Sequence, residues 1–189
     1  APHPRAPGAT QGQVHLACRL PAATPESEAR YALMAELLGG ESQYELRSRR
    51  GATYGFYASP WLGRGGAAHL LVQAVVDAPR MAEGLGSVQK SLAAFAKQVS
   101  QEALDDARTR LLARQGVSFL TSEDWVDALL EARVRGFQPD AVARRPAHLQ
   151  AVTADALRQE FAGCLERLVV GVTGDERQVR PALQALSQP

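Results

Sequence analysis

Arg47 and Tyr54 are the pair whose types and spacing could do chemistry together. They stand seven positions apart in Leu46-Arg47-Ser48-Arg49-Arg50-Gly51-Ala52-Thr53-Tyr54-Gly55. A guanidinium presents a planar fork of N–H donors and keeps its charge at any ordinary pH. A phenol adds one directional O–H donor. Side by side the two can hydrogen-bond one carbonyl oxygen or carboxylate. A plainer reading stands beside this one. Arginines gather at helix ends because the dipole favours them there. Tyr54 also alternates with Phe56, as a packing residue on a strand would.

Other chemistries find less support. Histidines stand at 3, 15, 69 and 148, and no two share a metal-ligand spacing. Neither H-E-x-x-H nor H-x-x-E-H occurs. A catalytic zinc wants three protein ligands, so no metal is expected in this chain. There is no G-x-S-x-G, and Gly39-Gly40 and Gly63–Gly66 lack the Lys-Ser/Thr pair of a phosphate loop. Cys18 lies on the apolar face of a strand and Cys164 at a helix end, with no neighbour in sequence that favours a thiolate. They read as buried thiols; pairing with one another is open but unsupported. The acidic pairs Asp105/Asp106 and Glu123/Asp124 sit in first helical turns, where the dipole accounts for them. No residue of this chain is expected to be catalytic by itself.

The chain around these residues is ordinary in composition. Its 189 residues suit one domain, and 46% hydrophobic with 22% charged residues excludes disorder over most of it. Twenty-one basic against twenty acidic side chains leave a formal charge of +1, so no global field recruits nucleic acid. No apolar run reaches the ~20 residues of a membrane span. The first residue is alanine, which suggests a start inside a longer chain, after processing, or at an artificial boundary. Residues 1–13 carry three prolines and two glycines and read as a linker. Residues 14–186 form the expected domain, and 187–189 a tail.

Elements must position the pair. Val14, Leu16, Cys18 and Leu20 alternate as a strand. Thr24-Pro25-Glu26 starts a helix with buried Leu33, Met34, Leu37 and Leu38, which Gly39-Gly40 should stop. A short helical piece is expected from Ser42 to about Arg49. Strands follow over 52–59 and 67–76, with a turn over 60–66. A long helix carries Met81, Leu85, Val88, Leu92, Phe95 and Val99 on one face. Ser100, Thr121 and Thr153 each read as a helix cap. The Thr121 helix should bury Val126, Leu129, Leu130 and Val134. Another helix spans about 140–149, a last strand 167–173, and a terminal helix starts at Asp175. Hairpin-linked strands and clustered helices predict an α+β fold: an antiparallel sheet with several helices packed on one face.

The segment L-R-x-x-x-G-x-x-Y-G, preceded by Leu38-Gly39-Gly40 and followed by V-S-Q-E-A-L-D-D-A from Val99 and V-V-G-V-T-G-D from Val169, resembles the C-terminal, zinc-free half of the M16 metallopeptidases. That family includes pitrilysin, insulysin and the mitochondrial processing peptidases. The resemblance spans roughly residues 12–186. It implies two homologous halves around a chamber, one holding zinc through H-x-x-E-H and the other supplying an arginine and a tyrosine that hold substrate backbone. Arg47 and Tyr54 match those two positions. Zinc is then expected in a partner half, either upstream in the same chain or a separate protein, and the ligand is a peptide or protein substrate. Gly39 and Arg47 are only eight apart, shorter than the family pattern, which implies a trimmed chamber-facing loop. A pseudo-peptidase scaffold or peptide-binding module is the alternative. The T-Y-G form of the motif resembles a bacterial subgroup, which implies a periplasmic or otherwise extracytoplasmic placement.

Overall fold

The computed structural model describes residues 7–43 and 53–186, with side chains described for 7–40 and 56–184. Four strands, β1 (Gln11–Leu20), β2 (Thr53–Leu62), β3 (Ala68–Asp77) and β4 (Val169–Thr173), form one sheet in the order β2-β3-β1-β4. Every pairing is antiparallel. Among the described residues seven α-helices accompany it: α1 (Pro25–Gln43), α2 (Met81–Lys97), α3 (Gln101–Val117), α4 (Ser122–Val134), α5 (Asp140–Ala151), α6 (Ala154–Leu165) and α7 (Glu176–Leu186). The α+β architecture matches the expectation.

Alternation along the strands decides which face is covered. Val14, Leu16, Cys18 and Leu20 on β1 lie in register with Ala74, Val72, Leu70 and Ala68 on β3, and all are buried. Phe56 continues this face on β2 and Val172 on β4. The helices cover it. α1 is the central helix: Tyr31, Leu33, Met34, Leu37 and Leu38 are all buried, so apolar groups face both the sheet and the outer helices. The buried Tyr31 hydroxyl donates to the Pro21 carbonyl at 3.0 Å, which meets its need for a partner. On α2, Gly84 faces the Val76 side chain so closely that a Cβ there would overlap it, and this lets the helix settle on β3.

Local signals set most boundaries. Ser100 Oγ accepts from the Ala103 N–H at 3.1 Å and Thr153 Oγ1 from the Ala156 N–H at 3.2 Å. Thr121 and Asp124 form a reciprocal capping box. Asp175 accepts from the Arg177 N–H at 2.9 Å to start α7, and its other oxygen accepts from the Gly8 N–H at 3.0 Å.

Four expectations need correction. α1 runs through Gly39 and Gly40 to Gln43, because a glycine costs a helix only about 1 kcal/mol and burial of Leu37 and Leu38 outweighs that. β1 begins at Gln11, inside the stretch read as linker. β2 continues through Pro60 and Trp61 to Leu62; it is an edge strand, where proline is tolerated. The β2–β3 turn is correspondingly short, with Gly65 and Gly66 at φ +69° and +82°. Finally, the Val126, Leu129, Leu130 and Val134 stripe points away from the core. α4 buries only Ala132, with small Ala128 partly covered beside it, so its large residues face outward.

The cysteines also depart from the expected thiols. Cys18 and Cys164 form a disulfide that ties the central strand β1 to α6 across 146 residues. Sequence spacing gave no hint, because the pairing depends on where α6 crosses the sheet.

Ion pairs fasten α1 to the outer helices. Glu36 accepts from Arg110 Nε at 2.8 Å and from Arg114, both on α3. Glu28 accepts from Arg135 at 3.0 Å, with Arg145 of α5 at 3.8 Å. Partial burial pushes the Glu36 carboxyl up, but hydrogen bonds from Arg110 and Arg114 prevail and hold it below its ordinary 4.5. A carboxylate with a depressed folded pKa stabilises the fold above its unfolded value and loses that contribution as pH falls. Glu36→Gln should therefore cost about 1 kcal/mol near neutrality. The two proteins should converge in urea unfolding below the ordinary carboxylate range. A gap that persists in acid would show that the charge of Glu36 is not the cause.

Candidate functional site

The site must be built around β2, because Tyr54 lies on it. Among the described residues β2 is an edge strand, with one side of its backbone unpaired in the sheet. Its register with β3 shifts once: Thr53 lies opposite Val76 and Gly55 opposite Val75, so Tyr54 is the extra residue of a β-bulge. A bulge interrupts strict alternation and locally raises twist. The simple period that links Tyr54 with Phe56 in the sequence is thus broken at Tyr54 itself. The Tyr54 side chain and the whole of Arg47 lie outside what the structure describes.

Beyond the bulge, β2 presents a row on the sheet face opposite the helices. Phe56 points into the core, while Tyr57 and Trp61 are 61% and 49% exposed with Ser59 between them. Cross-strand partners extend the row. Trp61 lies opposite His69, with ring centroids 5.5 Å apart, and His69 lies opposite Arg19. Tyr57 lies opposite Gln73, which lies opposite His15. His15 Nε2 is 3.2 Å from Gln13 Oε1. This face therefore combines exposed aromatic rings with amide, imidazole and guanidinium groups, and no helix among the described residues covers it. Such a surface can hold a peptide by apolar contact and hydrogen bonding.

Sequence reasoning assigned Trp61 to a turn and did not single out Tyr57. The signal was the period-2 spacing of Tyr57, Ser59 and Trp61, which the intervening Pro60 masked. His148, by contrast, is remote from the sheet, on α5, 3.8 Å from Glu26. Among the described residues no group of three or more His, Cys, Asp or Glu side chains converges as metal ligands would. These residues do not fit a zinc site, and no step through a metal is assigned to them.

No family model matches the chain. No curated protein matches it in sequence. Solved structures do match. The M16 peptidase inactive domain from Pseudomonas fluorescens superposes with a TM-score of 0.75 at 22% identity, covering 92% of this chain and 45% of that one. An inactive peptidase domain from Bordetella parapertussis gives 0.74 at 18% identity, covering 88% and 94%. The periplasmic protease PqqL from Escherichia coli gives 0.72 at 13%, covering 89% and 19%. The chain thus spans less than half the length of the first and third. At these identities the likeness establishes the fold, which is that of an M16-like peptidase domain.

Proposed function

We propose that this chain is the zinc-free half, or a domain of that half, of an M16-type metallopeptidase. A partner half carrying H-x-x-E-H would hold the zinc and supply the activated water. Arg47 and Tyr54 would donate hydrogen bonds to a substrate carbonyl, a role that counts most when charge develops on that oxygen. The observation that carries the reading is the place of Tyr54: a bulge on the edge strand of an M16-like sheet, seven residues after Arg47. An edge strand is also where an extended peptide can add to a sheet, and the uncovered row from Tyr57 to Trp61 lies alongside.

The Cys18–Cys164 disulfide supports an extracytoplasmic location, since such bonds persist in oxidising compartments. The likeness to a periplasmic protease agrees with that placement. A second reading keeps the fold without proteolysis, as a scaffold or peptide-holding module. It is favoured by the likeness to domains described as inactive.

Purification from native cells with this chain as bait separates the two. The expected result is a stoichiometric partner bearing H-x-x-E-H, and zinc-dependent peptide hydrolysis that neither component shows alone. A stoichiometric partner without that motif would replace the peptidase reading with the scaffold reading.

A further inference from the structure

The outward face of α4 is apolar and exposed. At about 100° per residue, Leu129, Arg133, Val126, Leu130 and Val134 fall on one arc facing away from the core. Val126 is 61% exposed, Leu130 60%, Val134 46% and Leu129 38%. Leu120, just before the helix, is exposed, and half-exposed Trp125 stacks on Phe119 with centroids 4.4 Å apart. A monomer seldom leaves so many large apolar side chains exposed together. The helix is well capped and anchored by Arg135 to Glu28 of α1, so this is the face of a fixed element.

Two charges lie within the arc, Glu123 near its start and Arg133 near its end. Neither has an ion-pair partner among the described residues. Their spacing is informative. An antiparallel helix pair with its two-fold axis level with Ala128 sets Val126 of each copy opposite Leu130 of the other. The same axis sets Glu123 of each copy opposite Arg133 of the other. The antiparallel arrangement also aligns the two helix dipoles favourably. The patch is therefore self-complementary in both apolar and charged positions, as an isologous interface requires.

We propose that α4 is a homodimerisation surface, occupied by α4 of a second copy of this chain. The proposal stands apart from the peptidase reading and uses none of its residues.

Sedimentation velocity on the 189-residue chain over about 1–100 μM tests it, a range that brackets modest dimer affinities. The wild type should be dimeric at the upper end. Leu130→Glu should raise the dimer dissociation constant at least a hundredfold. Glu123→Arg and Arg133→Glu should each raise it about tenfold by placing like charges together. The double variant E123R/R133E should return it to within about threefold of wild type, because the pairing is restored with its signs exchanged. Circular dichroism melts confirm that each variant is folded. A wild type that stays monomeric throughout, or a dimer indifferent to these four changes, overturns the proposal. Failure of the double variant to rescue the single ones overturns the stated register and with it the occupant.

Discussion

Reducing the Cys18–Cys164 bond should lower the midpoint of thermal unfolding by about 10 °C. The bond closes 146 residues, nearly the whole described fold. In the chain-entropy account a loop of that length is worth about 5 kcal/mol, and measured effects are commonly 2–4. For a chain of this size 1 kcal/mol moves the midpoint by about 2–4 °C. The side chains themselves contribute less, because the freed thiols remain in apolar surroundings that suit them; both cysteines are buried. Calorimetry with and without a reductant checks this, as does the Cys18→Ala/Cys164→Ala double variant, which should resemble the reduced protein. Equal midpoints in all three states would show that the bond does not stabilise this fold and would remove its support for an oxidising compartment.

Removing the two proposed donors should have the largest effect on activity. In the assembled peptidase, Arg47→Ala should lower kcat/KM at least tenfold, and more where the carbonyl oxygen gains charge. Losing one such donor elsewhere costs about a hundred- to a thousandfold. Tyr54→Phe removes only the hydroxyl and should lower kcat/KM by a similar order while leaving the midpoint of unfolding unchanged. The combination should cost less than the sum of the single losses if both donors serve one oxygen. Tyr57→Phe is the control, since its exposed ring offers contact area that the substitution keeps. Unchanged kinetics in R47A and Y54F would dismiss the assigned roles while leaving the assembly itself intact.

What the sequence disclosed depended on the range of the forces involved. The strand Val14–Leu20 and the helix starts at Ser100, Thr121 and Thr153 were legible because alternation and capping are local. The disulfide was hidden, since nothing near Cys18 points to Cys164. The end of α1 was misjudged because two glycines speak for a stop locally, while burial across the helix speaks against it. The α4 stripe was misjudged for the opposite reason. Period 3.6 identifies an apolar face but not whether the molecule's own core or another molecule covers it. At the candidate site, spacing singled out Arg47 and Tyr54 as candidates. The bulge that sets Tyr54 apart from the strand's alternation is a property of two paired strands and could not be read from one.

The strand order has a consequence for how the molecule is made. Among the described residues β1 is the first strand, yet one of its edges is filled by β4, whose pairings join residues 13–17 to 169–173. During synthesis β1 and β3 can pair early, but the far edge of β1 waits until residues 169–173 have emerged. Contacts of such long range slow folding, and an open strand edge invites association with other chains. A ribosome stalled before Val169 would therefore carry a partly built sheet with its apolar centre beside an unfilled edge, a form that a cell's chaperones must shield until β4 arrives.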